Sequence, residues 1–490
     1  VDSLTLEAAR QGFVFARVNP DIQRNEAEGT LNITYNIVEG PRTYIDRIDI
    51  IGNTRTEDEV IRRQLSLYEG DAYNRVLVER ARRRLTALDF FEKIDIREEE
   101  GPAPDRVVLV VEVAEKSTGS INFSIGYSTT DYIVGSVSLQ ERNFLGKGYN
   151  VAVNTSASWT RQNVSFSFTN PYFMGLPIAA GFDVFGNNTN NEDESSYWSE
   201  QYGFALRAGF RLDDDSNIGF RYGLTWRTIN NIDKDNASPA VIETEGETLK
   251  SFVSSTYTWD NLDNPNRPTN GFRGQLYAEA AGLGGDVYFG SLEAHAWYFV
   301  PIYEDMVVLK VEGNAGHSIP FASSDKVPLQ DRFFKGADSF RGFASSGVGP
   351  RQVSNDGSSD SIGGTTYAIG TVEVSFPVGL PEEWGIEGAV FSDFGTVFGS
   401  GEDTEKVGQG NCKYGNNTPI PDANPANPPT YGPNAKDCKV YDSADFRASV
   451  GAGLIWQSPF GPLRFEVAYP LMQADYDETE WFRFSVGTRF

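Results

Sequence analysis

Two histidines, His295 and His317, are the whole imidazole supply of this 490-residue chain. General acid–base work at neutral pH and most transition-metal sites draw on imidazole, so that supply is thin. No Gly-x-Ser-x-Gly elbow and no phosphate-cradling glycine loop occurs. The run Asp213-Asp-Asp215 falls in a predicted turn and reads as a solvated cap. Cys412 and Cys438 flank a segment rich in Asn, Pro and Gly. A disulfide closing that loop would imply an oxidising compartment, and two free thiols are the alternative. With no histidine nearby, the pair makes an incomplete metal site. The expectation is a protein that is not an enzyme and has no cofactor and no metal. What remains is binding chemistry. In Asp338-Ser-Phe-Arg-Gly-Phe343, Arg341 offers five donors in a rigid fork, and Gly342 permits a turn that a side chain would block. Around Asp393, residues Val390, Ser392 and Phe394 share one parity, while Glu387 and Asp393 share the other.

The elements that must carry these residues are strands. In the last ten residues Phe482, Phe484, Val486 and Phe490 fall on one parity, and Arg483, Ser485, Gly487 and Arg489 on the other. A strand sends alternate side chains to opposite faces, so one face is apolar and one polar. In a soluble protein such a decamer is a half-buried edge strand. In an outer-membrane barrel it is the closing strand. The same alternation recurs in Ile121, Phe123, Ile125 and Tyr127, in Tyr202 through Leu212, in Ile218 through Trp226, and in Phe465 through Leu471. Arginine and glutamate opposite such faces suit a wet lumen with lipid outside.

Sixteen strands are predicted between 119–129 and 481–490. Their connections alternate in length. Short ones lie at 144–148, 171–177, 213–217, 303–305, 379–383 and 457–462, and long ones at 186–198, 231–247, 321–363 and 399–442. Short periplasmic turns and long surface loops are the pattern of an outer-membrane barrel, and an even strand number puts both barrel ends on the short-turn side.

Composition sets limits in the same direction. Net charge is −26, which argues against a nucleic-acid surface. Mean hydropathy is negative and no run approaches the roughly 18 apolar residues of a spanning helix, a test that barrel strands evade. Glycine (49) and aromatic residues (13%) are both abundant, as expected for strands with aromatic girdles. The chain starts at Val1 in mid-pattern, the expectation for a processed or truncated chain.

Residues 1–116 read differently. Tyr44 to Ile51 is strand-like, and Thr56 with Glu59 forms a possible capping box for a helix through Leu67. Asn74 can cap a second helix with Val78, Ala81, Leu85 and Leu88 on one face, and two strands follow. The order is β-α-α-β-β. Residues 1–40, with a helix over 4–12 and two strands, repeat its second half.

These modules look like POTRA domains. Ser117 to Tyr127, Asn143-Phe-Leu-Gly-Lys-Gly-Tyr149, Thr169-Asn-Pro-Tyr-Phe173, Arg332 to Phe343 and Gly461-Pro-Leu-Arg-Phe465 resemble, in order, the first strand, first two periplasmic turns, sixth surface loop and penultimate turn of the BamA superfamily. Phe340 stands where that family usually has Val. The resemblance implies α+β periplasmic POTRA modules (1–40, the C-terminal half of one, and 41–116, a complete one) followed by an all-β, 16-stranded transmembrane antiparallel barrel (117–490). It implies a lumen-docked motif of Phe340, Arg341, Gly342 and Phe343 against acidic wall residues, Asp393 and Glu387. It implies a seam between first and last strands, carried by Ser120, Asn122, Ser124, Phe482, Phe484, Gly487 and Phe490, with Ser124 and Ser485 as one trial facing pair. The implied function is assembly and insertion of β-barrel proteins into the bacterial outer membrane. Implied partners are unfolded outer-membrane proteins, accessory outer-membrane lipoproteins on the POTRA domains, and the lipid bilayer, with no nucleic acid. A two-partner-type secretion pore and a TamA-like factor are the alternatives, and a passive porin fits the long loop and the POTRA repeat poorly.

Overall fold

The computed structural model describes the chain except residues 1–3, 5–15, 26–29, 40–42, 233–236, 266, 304–305, 355–358, 403–437, 459–460 and 487–490. Two units result: residues 1–120 with 139–151, and residues 121–138 with 152–490. In the first, β1 (Ala16–Asn25) and β2 (Thr30–Glu39) form an antiparallel pair. Ile22, Leu31, Ile33 and Ile37 of this pair are exposed. The helix expected over 4–12 falls almost wholly outside the described residues.

A complete β-α-α-β-β module follows: β3 (Tyr44–Ile51), α1 (Asp58–Leu65), α2 (Arg75–Leu88), β4 (Phe91–Glu100) and β5 (Arg106–Glu115). Sheet order is β3-β5-β4, with β5 parallel to β3 and antiparallel to β4. The run Val108 to Val111 is buried throughout, as suits a central strand. Asn74 caps α2, its Oδ1 accepting from Val76 N at 2.9 Å and Leu77 N at 3.4 Å. Val78, Ala81 and Leu85 of that helix pack with Val60, Ile61 and Leu65 of α1 over Ile45, Ile48, Val111 and Val113. Each large aliphatic side chain so buried contributes about 1.5–3 kcal/mol.

The expected capping box at Thr56 and Glu59 does not form. The N-cap is Glu57, without a side-chain cap bond. Glu115, at the end of β5, takes the amides instead: Thr56 N at 2.7 Å on one oxygen, Arg55 N at 2.9 Å and Thr54 N at 3.1 Å on the other. Glu115, already held by the amides of Thr54 and Arg55, takes the Thr56 amide that Glu59 would accept in a capping box.

The barrel begins with β6 (Gly119–Ser128), β7 (Tyr132–Phe144), β8 (Tyr149–Ala157), β9 (Arg161–Asn170) and β10 (Ile178–Asn191). Then come α3 (Glu192–Ser195), β11 (Tyr197–Arg211), β12 (Ser216–Asn230), α4 (Pro239–Ile242), β13 (Gly246–Asp260), β14 (Gly271–Ala281), β15 (Phe289–Tyr303) and β16 (Val307–Pro320). After β17 (Arg351–Ser354) and β18 (Ser359–Ser361) the wall resumes with β19 (Thr366–Pro377) and β20 (Ile386–Phe398). It ends, past β21 (Cys438–Tyr441), with β22 (Arg447–Ser458), β23 (Gly461–Met472) and β24 (Phe482–Val486). Sixteen of these strands close into one barrel, with β24 beside β6.

Parity sorts the faces. Phe123, Leu206, Trp226 and Leu292 lie exposed on the outside. Inside, Asp183 receives Arg207 at 2.9 Å and Arg221 at 3.5 Å. The connection expected at 186–198 is shorter than its composition suggests, because Asn187 to Thr189 pair with both neighbours and carry β10 on to Asn191.

Parts of the two longest connections fold together: β17, β18 and β21 make a separate three-stranded sheet. Beside it lies a second apolar core of Tyr197, Ile229, Ile232, Ala237, Val241, Leu329 and Ile362. Asp360 ties this cap, accepting from Ser196 Oγ at 2.7 Å and from the Ser238 amide.

Candidate functional site

The connection from β16 to β17 carries Arg341 to the inward side of β19, β20 and β23. Gly342 makes the approach possible: its φ is +93°, and a Cβ there would meet Ser449 Cβ at 3.0 Å. Phe340 and Phe343 on either side are fully buried, edge to face with ring centroids 4.9 Å apart. They pack with Val348, Tyr367, Ile369 and Val397.

Arg341 binds Asp393 three ways. Nε and Nη2 each donate at 2.8 Å to a different carboxylate oxygen, and the backbone amide donates at 2.9 Å. Nη1 donates to Glu373 at 2.5 Å and to Glu466 at 3.3 Å. The guanidinium lies 3.4 Å from the centroid of the Phe391 ring. Thr371 Oγ1 adds a bond to Asp393 at 2.8 Å, and Arg464 reaches Glu466 at 3.2 Å. All four central groups are more than 90% buried: Arg341 (7% exposed), Asp393 (1%), Glu373 (6%) and Glu466 (5%). A buried charge needs partners of this quality to persist, and removing one partner costs more than the pair contributes.

Glu387 is not a partner of Arg341. It has the same parity as Asp393 but lies six residues away, about 20 Å along a strand, and pairs with Arg267. Glu373 and Glu466 take its place. The alternation of 464–471 already turns Glu466 inward, between Phe465 and Val467, without naming it as a partner of Arg341; Glu373, between Val372 and Val374, carries the same signal and was passed over.

The histidines join no such cluster. His295 contacts Asn314 at 2.7 Å and Glu293 at 3.6 Å and stacks on Trp297, while His317 contacts Thr366 at 2.8 Å. Among the described residues no group of three or more His, Cys, Asp and Glu is arranged to hold a metal ion.

The second part of the site is the seam. Fourteen residue pairs join β10 to β11, and among the described residues five join β23 to β24. Among the described residues two join β24 to β6, Ser485 with Ser128 and Val486 with Tyr127. One further bond runs from Thr129 N to Phe484 O at 3.1 Å. Phe484 stacks on Phe465 at 4.6 Å and leans on Tyr127 at 6.0 Å. Ser120, Asn122 and Ser124 have no partner on β24 among the described residues. Ser485 faces Ser128, so Ser124 is not its opposite residue; the Ser124 hydroxyl bonds Ser136. The register is displaced by four residues from that trial pairing, which parity alone cannot fix because any even shift keeps the faces. Phe482 lies on the outer face, half exposed. Gly487, Phe490 and Cys412 lie outside the described residues. Cys438 opens β21, opposite Ser354.

A family profile described as Omp85 superfamily domain matches residues 143–490, and a POTRA profile, described as surface antigen variable number repeat, matches 43–116. The outer membrane protein assembly factor BamA of Neorickettsia risticii is 32% identical over 98% of this chain and 59% of its own length. Its counterpart in Neisseria meningitidis is 27% identical over 98% of this chain and 60% of its own. The chain thus spans about three fifths of these relatives. BamA from Haemophilus ducreyi lacking POTRA domains 1–3 has the same fold, with a TM-score of 0.78 at 24% identity over 99% of this chain and 92% of that one. CdiB from Acinetobacter baumannii aligns at a TM-score of 0.54 and 13% identity over 98% of this chain and 79% of that one. A sixteen-stranded barrel preceded by a β-α-α-β-β module, matched over most of its length by the barrel profile, places the chain in the Omp85 superfamily.

Proposed function

We propose that this chain folds and inserts β-barrel proteins into the bacterial outer membrane, with the seam between β6 and β24 as the place where an incoming strand pairs. The point of closure carries the reading: the barrel's first and last strands, β6 and β24, meet there, joined among the described residues by Ser485 with Ser128 and Val486 with Tyr127. The outward side chains of β6, Ile121, Phe123 and Ile125, are 63–76% exposed. Parting these two strands would free the backbone donors and acceptors of both, and such an edge is a template for strand addition.

The barrel sits in the outer membrane, and the POTRA module lies on the periplasmic side. No nucleotide is at hand there, so the work comes from the folding energy of the substrate. Of the two edge strands of the module sheet, β3 is covered at its start by residues 70–73, so β4 is the edge that suits β-augmentation by unfolded outer-membrane proteins or by accessory lipoproteins. This reading involves no making or breaking of covalent bonds. The acids around Arg341 are already engaged by its guanidinium, which leaves none poised as a general base.

A two-partner-type secretion pore, which would share the module and the barrel, is the second reading. The loop bound through Arg341 to the inward wall favours the lateral route over it.

The test is reconstitution of the full-length protein in lipid vesicles with a urea-unfolded outer-membrane protein, following its protease-resistant folded form. Folding faster than in empty vesicles, and lost on crosslinking the seam, is the expected result. No acceleration, with accessory lipoproteins supplied, would overturn the proposal and turn attention to chain translocation.

A further inference from the structure

Arg483 is the one arginine of β24 among the described residues, and it lies on the inward parity between Phe482 and Phe484. It is buried, 8% exposed, at the edge of a cavity of about 1060 Å³ that Thr130, Asp338, Arg464 and Ser485 also line. Its guanidinium makes three contacts on three segments. Nη1 donates to Thr130 Oγ1 at 3.2 Å, across the seam in the turn after β6. It also lies 3.4 Å from Asp338 Oδ1, three residues before Arg341. Nη2 binds Glu480, in the connection that leads into β24.

Both ends of this bridge are held. The turn after β6 is fixed by Asp131, whose carboxylate accepts from Thr160 Oγ1 at 2.7 Å and pairs with Arg161 at 3.4 Å. The connection into β24 is laced by backbone bonds to the loop that carries Arg341: Ala344 N to Glu478 O at 2.9 Å, Glu478 N to Gly347 O at 3.0 Å, and Glu480 N to Gly342 O at 3.1 Å. The closing strand is therefore continuous, through hydrogen bonds, with the residue next to Arg341.

We infer that Arg483 is a positioning residue that latches the closing strand to the first hairpin and to the docked loop together, so that the seam parts when the loop tip shifts. The importance of that coupling for assembly rests on the function proposed above. The latch itself does not. Arg483 spans the seam with its side chain, beside the backbone bond from Thr129 N to Phe484 O and the pairs Ser485 with Ser128 and Val486 with Tyr127. Glu478 and Glu480 act with Arg483 by tying the entry of β24 to the loop.

The test is amide hydrogen exchange on the full chain in phosphatidylcholine vesicles, with no substrate present. In Arg483→Gln, exchange at 127–131 and 482–486 should rise about tenfold, the effect of losing a charged hydrogen bond, and exchange at 338–344 should rise with it. Thr130→Val conserves volume and removes only the contact across the seam, so it should speed the seam and leave 338–344 at its wild-type rate. Asp338→Asn should speed 338–344 and the seam together. Exchange at 201–211, in β11, serves as the control and should stay unchanged. Wild-type seam rates in both Arg483→Gln and Thr130→Val would overturn the latch. A faster seam with an unmoved loop tip in Arg483→Gln would overturn the coupling. Should Arg483→Gln fail to fold, the other two variants decide in the same way. Because exchange needs no substrate, an inactive vesicle folding assay would defeat the assembly reading and leave the latch standing, and the reverse also holds.

Discussion

Arg341 and Asp393 meet through three hydrogen bonds, one of them from the backbone amide of Arg341, so Asp393 grips the main chain of the loop as well as its side chain. Replacing the side chain therefore cannot release the loop in one step, but it strands three buried carboxylates.

Arg341→Ala should destabilise the docked loop by about 3–5 kcal/mol, the cost of leaving buried charges uncompensated. Arg341→Lys restores one charge but not the two-pronged geometry and should recover only part of this. Protease nicking within 321–347 of the folded protein measures the release, and nicking at the wild-type rate in Arg341→Ala would refute it.

The register sets which cysteine pair can lock the barrel. With Cys412 and Cys438 replaced by serine, Ser128→Cys with Ser485→Cys should oxidise readily, since directly opposed strand residues bring their Cα atoms within about 4.5–5.5 Å. Ser124→Cys with Ser485→Cys should stay reduced. Gel mobility before and after reduction reads both, and the opposite pattern would mean the strands pair in another register. The locked protein should also lose the proposed assembly activity.

Glu115 gives the POTRA module a pH dependence. Burial raises its pKa, but the hydrogen bonds from Thr56, Thr54 and Arg55 outweigh burial and hold it below the ordinary glutamate range. A carboxyl with a lowered folded pKa stabilises fully above its unfolded pKa, and that stability is lost as pH falls through the folded value. Glu115→Gln should cost about 1–3 kcal/mol at pH 7 and progressively less below about pH 4. Amide exchange at 54–56, compared between wild type and variant at each pH, follows this. A difference that does not shrink in acid would rule the mechanism out.

Asn74→Ala removes the cap of α2 and should cost the module about 1 kcal/mol. Glu59→Ala, at the box that does not form, should cost no more than a few tenths, as an ordinary surface substitution does. Exchange across 75–88 separates the two. Equal effects would mean the cap is idle.

Much of this architecture is legible in the chain because the signals are local. Alternation places the sixteen wall strands, and Asn74 announces its helix, since both depend on neighbours in sequence. Asp393 is legible by parity as an inward acid. What escapes is set by distance along the chain. The capping box at Thr56 is lost to Glu115, 59 residues away. Glu387 is excluded by a separation that parity does not encode. Glu373 and Glu466 join Arg341 only because β19 and β23 flank its landing point. The seam register depends on where the barrel closes, and the latch at Arg483 depends on three segments that meet in space alone. The sheet of β17, β18 and β21 is invisible to pattern reading because its strands are three or four residues long and drawn from two connections.

The second apolar core, against which Val440 of β21 packs, bears on recognition from outside the cell. Tyr197, Ile229, Val241, Leu329 and Ile362 come from in and around three different connections, β10 to β11, β12 to β13 and β16 to β19, so the outer contour they support exists only when all three are assembled. Antibodies raised against the folded protein will therefore read a discontinuous epitope, and immunogens made of single-loop peptides will display little of it.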